Sequence, residues 1–318
     1  MELLGIDIGG TKCAVVRGNG DGQVLEKVKF PTTNVNDTLD NILFAAKKLA
    51  HDSAAVGISC GGPLNSETGV ILSPPNLPGW DNIEIVKIIN KQLGLPAYLC
   101  NDANACALAE FKFGAGIGSR NMVFLTFGTG MGAGLILDGK LYNGTNGNAG
   151  EIGHIRMENF GPTGYGKQGS FDGFASGGGI AMYGKIKACE ALQRGEKPMY
   201  CKELSELSEI SAKTIADAAE KGDKTAIEVY ETAGRMLGRG IAVLADILNP
   251  DRIVIGSIFE RSAELLEKSM YEEMKKEALS ASLEVLEVVK AKLGNSIGDA
   301  AALALALDCY ERSKDKNA

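Results

Sequence analysis

GIDIGGTKCAVV, residues 5–16, reads as a strand, a tight glycine turn and a returning strand. The same pattern comes back at 124–137 as FLTFGTGMGAGLIL. Glycines let backbone N–H groups approach an anion with no Cβ in the way, and by permitting positive φ they suit tight turns. Two Gly/Thr hairpins facing each other across a cleft suit one polyphosphate. In the first, Gly9, Gly10, Thr11 and Lys12 form the turn, and Asp7 at the strand end can hold a water of a Mg²⁺ ion. In the second, Gly128, Thr129 and Gly130 form the tip. A G-x-G-x-x-G dinucleotide fingerprint should open a helix, but the apolar run Leu135-Ile136-Leu137 follows at once, which fits a β-hairpin instead. There is no P-loop motif. For the first turn taken alone, an ordinary hairpin is as good a reading as a phosphate loop.

Outward from these hairpins the chain alternates strands and helices. Val24 to Phe30 extends the first two strands into an antiparallel start, and a helix over Asn36 to Ala50 has its apolar residues on one face. Strands at 54–59 and 97–100 alternate with helices at 83–93 and 102–113, with Gly94 and Gly114 as their stops. Residues 139–179 read as ordered loop, and helices dominate from 178 to 248, the last capped by Asp223. A strand at 253–255, a helix at 260–278, a strand at 285–290 and a helix at 297–312 complete the chain.

Composition narrows the function. The 318 residues carry 33 Lys plus Arg against 40 Asp plus Glu, a formal charge of −7, which argues against sequence-independent nucleic-acid binding. No apolar run approaches the ~20 residues of a membrane span, and the N-terminus has no secretory pattern, so a cytoplasmic protein is expected. The 7 cysteines are odd in number and never at C-x-C or C-x₂-C spacing, which fits neither a disulfide framework nor a zinc site.

Two further segments carry chemistry. In LCNDAN, residues 99–104, Asp102 sits where a strand enters a helix. It reads either as an N-cap or as a general base that orients a substrate hydroxyl and accepts its proton during phosphoryl transfer. In GNAGEIGH, residues 147–154, Glu151 and His154 offer acceptors and donors to neighbouring sugar hydroxyls, or else belong to a loop satisfied by its own backbone.

Taken together, DIGGT at 7–11, NDANACALAE at 101–110, LTFGTGMGAGLI at 125–136 and GNAGEIGH at 147–154 resemble the ROK family of sugar kinases and sugar-responsive repressors, within the hexokinase–actin–heat-shock superfamily. The resemblance implies an α/β fold of the two-lobed actin-like ATPase (ribonuclease H-like) type with a central inter-lobe cleft. The lobes would be 1–106 plus 297–318, and 107–296. It implies Asp102 as catalytic base, with Gly62, Asn101, Asp102, Glu151, His154 and Asp172 at the sugar. Asp7, Gly9, Gly10, Thr11, Lys12, Gly128, Thr129, Gly130 and Gly256 would serve ATP and its Mg²⁺. The activity implied is ATP-dependent phosphorylation of the 6-hydroxyl of a hexose, glucose first, by a homodimer that binds neither nucleic acid nor membrane. The alternatives are a kinase of N-acetylated amino sugars or of fructose, and a non-catalytic sugar sensor.

The chain departs from the family pattern in three places. Thr163, Tyr165 and Ser170 stand where the family's zinc loop has cysteines, so no zinc is expected, and packing of Tyr165 and Phe171 should hold the loop instead. Asp172 replaces a Glu there, and Ser257 stands where a second glycine is usual after Gly256. The first phosphate motif starts at residue 5, which leaves no room for the helix-turn-helix of family repressors and favours the kinase branch.

Overall fold

The computed structural model describes residues 1–315. The chain divides into two compact units, one of Met1–Ser119, Gly134–Ala149 and the segment from Lys292 onward, the other of Arg120–Ala133 and Gly150–Ala291.

In the first unit, β1 (Glu2–Ile8), β2 (Lys12–Asn19) and β3 (Val24–Pro31) form the expected antiparallel start. α1 (Val35–Leu49) leads to β4 (Ser53–Cys60). A small hairpin, β5 (Leu64–Asn65) and β6 (Val70–Ile71), precedes α2 (Ile85–Leu93), β7 (Ala97–Asn101) and α3 (Asp102–Phe113). The strand order is β3-β2-β1-β4-β7, with β4 parallel to both β1 and β7. Parallel neighbours need a crossover, and α1 and α2 supply it. Asn34 caps α1 by accepting from the Asp37 N–H at 3.0 Å. Its apolar stripe, Ile42, Ala46 and Leu49, packs on Leu4, Ile6, Val56 and Ile58 of the sheet together with the fully buried Trp80. On the opposite face Leu3, Val16 and Ala55 meet Leu303 and Ala306 of the C-terminal helix Ile297–Asp315. That helix lies so close that a Cβ on Gly5 would strike Ala302, and one on Gly57 would strike Ala302 and Ala306. Burial on both faces explains why β1 reads as a nearly unbroken apolar run.

In the second unit, strands Met122–Phe127, Arg252–Ile255 and Glu287–Lys290 run parallel, Arg252 lying opposite both Met122 and Glu287. The helix Lys224–Leu248 starts at Asp223, whose carboxylate accepts from the Ala226 N–H at 2.8 Å, and stops at Asn249 with φ 44°. It packs on helix Ile258–Glu277 through small residues, since a Cβ on Gly234 or Gly238 would strike that helix at Leu266 and Ser269 or at Met270. The last strand is shorter than expected, because Ser280–Glu284 forms a helical turn and pairing begins at Glu287. Among the described residues no helix is long and apolar enough to cross a membrane.

Candidate active site

In the first unit the turn after β1 is closed by the Gly9 N–H donating to Lys12 O at 3.1 Å. It is held from the side by the Thr32 hydroxyl donating to Gly9 O at 2.6 Å and the Thr32 N–H donating to Thr11 O at 3.0 Å. Neither Gly9 nor Gly10 has positive φ; they are glycine because of close approach. A Cβ on Gly9 would lie 2.8 Å from Lys12 O, and one on Gly10 would run into Asn76 of the 76–80 loop. Gly10, Thr11 and Lys12 are exposed, so their polar groups face solvent.

Asp7 is the penultimate residue of the same strand. Its carboxyl is pushed up to about 6, first by burial and then by the negative charges of Asp299 and Asp102. Asp299 stands in the first turn of the C-terminal helix, paired with Lys27 at 2.5 Å. A Cβ on neighbouring Gly298 would come within 3.2 Å of Asp7 Oδ2. A divalent cation fits here on electrostatic grounds, because it would relieve the crowding of carboxylates that opposes ionisation of Asp7. No group of three or more metal-binding side chains occurs among the described residues.

At the β7–α3 junction the N-cap is Asn101, with φ −70° and ψ 160°, and its Oδ1 accepts from the Asn104 N–H at 2.8 Å. The reading of Asp102 as N-cap is therefore replaced. Asp102 is the first helical residue, and its carboxylate is not used to cap the helix. Its hydrogen bonding is local: Oδ1 accepts from the Ala103 N–H at 2.9 Å, and the carboxyl also interacts with its own backbone N–H. Asp102 is exposed and its oxygens are reachable, while protein around it strips enough water to push its carboxyl above the usual range, against the opposing Ala103 hydrogen bond. Asn101 has its Oδ1 committed to the cap, so a ligand contact from it would use the Nδ2 donors. Cys60 lies opposite Asn101, so the loop after β4 that carries Gly62 starts beside this junction. A Cβ on Gly61 or Gly62 would meet no atom within 4 Å.

In the second unit the tip of the other hairpin is tied down by backbone bonds, with Gly177 N–H donating to Gly128 O at 2.8 Å and Gly178 N–H to Thr129 O at 3.1 Å. Asp172 is buried, and its Oδ1 accepts from the Met131 N–H at 2.6 Å. Desolvation pushes its carboxyl up, while that bond and then His154 pull the other way. Asp172 thus anchors the hairpin, and a Cβ on Gly130 would come within 3.1 Å of its Oδ1. Glu151 is the N-cap residue and His154 the last residue of a single helical turn, Ile152–His154, and both are exposed. Gly256 N–H donates to Leu125 O at 3.1 Å, and Ser257 beyond it has φ 60° and ψ −107°. A cavity of about 740 Å³ is lined by Thr129, Gly178, Lys213, Tyr230, Ser257 and Arg261 among others. Lys213, Tyr230 and Arg261 carried no signal in the sequence beyond helix packing, because they come together only in the fold.

The segment that departs from the zinc-loop pattern is a two-residue hairpin. Thr163-Gly164 pairs with Lys167-Gln168, and Tyr165 (φ 49°) and Gly166 (φ 71°) supply the left-handed pair such a turn requires. Ser170 caps the next helical turn by accepting from the Gly173 N–H at 3.1 Å, and its hydroxyl donates to Gly164 O at 3.3 Å. Phe171 packs as expected, 0% exposed and beneath Gly240. Tyr165 does not enter the core; it is 73% exposed, with its ring centroid 5.3 Å from that of His154.

A model of the ROK family matches residues 3–309 of the chain. A glucokinase from Streptomyces coelicolor is 32% identical over 300 residues, covering 93% of this chain and 94% of the relative. An N-acetylmannosamine kinase from Shigella flexneri is 33% identical over 260 residues, 80% of this chain and 82% of the relative. Among solved structures, a ROK family glucokinase from Streptomyces griseus in complex with glucose and AMPPNP superposes with a TM-score of 0.74 at 30% identity. It covers 97% of this chain and 100% of its own. The α/β architecture is the actin-like ATPase fold of the ROK kinases.

Proposed function

The chain belongs to the ROK family, and we propose that it is an ATP-dependent hexose kinase that phosphorylates the 6-hydroxyl of glucose. The observation that carries this reading is the role of Asn101 at the head of α3. By taking the cap, Asn101 leaves the Asp102 carboxylate with only local backbone hydrogen bonds at an exposed position. Asp102 orients the 6-hydroxyl and accepts its proton late, as the O6–P bond forms and the bond from phosphorus to the β–γ bridging oxygen breaks, releasing ADP. Burial pushes the Asp102 carboxyl upward from its ordinary value, which makes its carboxylate form a stronger proton acceptor.

Asn101, Glu151 and His154 are assigned to the sugar hydroxyls, with Gly62 in the loop beside Asn101. Asp172 acts through the hairpin it holds rather than by an established sugar contact. Gly9, Gly10, Thr11, Lys12, Gly128, Thr129 and Gly130 are assigned to the phosphates, and Gly256 to the nucleoside side. Mg²⁺ bound with ATP would neutralise phosphate charge, and Asp7 is the residue assigned to it through water. A homodimer acting in the cytoplasm completes the proposal.

A second substrate class has one observation in its favour. The open space around Gly61 and Gly62 leaves room for an N-acetyl group, and one relative is named as an N-acetylmannosamine kinase. A coupled assay of ADP release with Mg²⁺·ATP and glucose, fructose, N-acetylmannosamine or N-acetylglucosamine tests the assignment. The highest kcat/KM with glucose is expected. A clear preference for an N-acetyl sugar moves the protein to the second class, and sugar-dependent stabilisation without ADP release with any of them makes it a sensor.

A further inference from the structure

We propose that Asn143 is a positioning residue for Asp102: its carboxamide links the buried Asn104 of α3 to Tyr98 of β7 and so fixes the turn that aims the base. The proposal rests on the reading of Asp102 as base. Asn104 lies two residues beyond Asp102 and is 1% exposed. A buried carboxamide is costly unless it is hydrogen-bonded, so packing alone would be better served by an apolar side chain. Its backbone N–H is spent on the Asn101 cap. Its side-chain Nδ2 donates to Asn143 Oδ1 at 3.1 Å, and Asn143 Nδ2 donates to Tyr98 Oη at 3.1 Å.

Tyr98 is a firm outer anchor. Burial pushes its phenol up to about 12, so it stays protonated, and the Arg312 guanidinium lies 5.1 Å from its ring centroid. The main chain of Asn143 is held too, its carbonyl accepting from the Ala149 N–H at 3.1 Å. Upstream of Asn143 the chain presses directly on α3, because a Cβ on Gly134 would strike Ala107, Ala103 O and Asn104 Cα. The first turn of α3 is therefore gripped by sheet packing on one side and by a directional chain of hydrogen bonds on the other. Asn143 and Tyr98 also line a cavity of about 570 Å³, so water can replace the hydrogen bonds of a truncated Asn143 and folding can survive the change.

The test compares Asn143→Ala and Asn143→Asp in the full chain, with Mg²⁺·ATP and the best hexose from the panel. A misplaced base costs turnover rather than binding, so Asn143→Ala should lower kcat ~10-fold or more with KM for ATP and hexose within ~2-fold. Asn143→Asp keeps an acceptor for Asn104 and offers a second oxygen to the Tyr98 hydroxyl, and should recover kcat to within ~3-fold of wild type. Wild-type kcat in Asn143→Ala, or equal loss in both variants, overturns the proposal. Asp102→Asn in the same assay separates the two claims. Full turnover there removes the base itself, whereas an inactive Asp102→Asn beside a fully active Asn143→Ala removes only the positioning.

Discussion

Asp7, the residue proposed to serve Mg²⁺, works against the stability of the fold. Its folded carboxyl titrates at about 6 against an ordinary 3.8, so between those values the folded state keeps a proton that the unfolded chain has released. Stability contributed at this site therefore falls as pH rises through that window, and the full penalty applies above it. Asp7→Asn should stabilise the free protein by about 1–2 kcal/mol at pH 8, after allowance for partial solvent exposure, and by almost nothing at pH 3.5. Urea unfolding at the two pH values measures this; a variant less stable at pH 8 contradicts it. Ser257 carries backbone strain instead. Its φ of 60° with ψ −107° is a glycine-like conformation, and the sequence had marked it as a serine at a glycine position. Ser257→Gly should release strain of about 1–3 kcal/mol, less about 0.5–1 for the looser unfolded chain, and so raise the urea midpoint. A lowered midpoint would show that the serine side chain contributes more than its backbone costs. Local chemistry of this kind was legible in the sequence because it depends on one residue and its neighbours. The environment of Asp7 was not, since Asp299 lies at the far end of the chain.

The helix α3 gathers the account into one element. Its head is set by the Asn101 cap, and its tail by Glu110, which is 0% exposed and accepts from the N–H groups of Ala115 at 2.7 Å, Lys292 at 3.0 Å and Leu293 at 2.9 Å. Removing that carboxylate leaves several buried donors unmade. Glu110→Ala should cost about 3–5 kcal/mol in chemical denaturation. A loss under about 1 kcal/mol would mean that water satisfies those groups. The helix itself, from Asp102 to Phe113, was legible from its apolar content and its Gly114 stop, as were the Asp223 cap and the Gly94 terminus, because such signals are local. Glu110 was invisible because its partners lie 182 and 183 residues away. The cap reading open for Asp102 fell one residue late: Asn and Asp are both good caps, and only the dihedrals distinguish which of them stands outside the helix. Tyr165 was expected inside because aromatic side chains usually pack, but a left-handed turn position carries it outward to His154.

Across the molecule, the two Gly/Thr hairpins at 5–16 and 124–137 were legible because a strand–turn–strand needs no tertiary information, whereas the actin-like fold was implied by the resemblance of the ordered motifs to the ROK family. What periodicity could not reveal is which segment joins which unit. Gly134–Ala149 belongs with the first unit through the close approach of Gly134 to α3 and the bond from Asn104 to Asn143. The segment from Lys292 returns to the same unit, where Glu110 receives it and Gly5 and Gly57 make room for its helix. The candidate site follows the same rule. Its motif residues were readable one by one, whereas the cavity walls at Lys213, Tyr230 and Arg261 are products of helix packing. The most direct measurement is phosphoryl transfer by the full chain and its Asp102→Asn variant, followed as hexose 6-phosphate formed from Mg²⁺·ATP and glucose. The account predicts product with the wild type and a kcat lower by ~10²–10⁴ in the variant, with glucose-dependent thermal stabilisation retained. Equal turnover by the two proteins would contradict it.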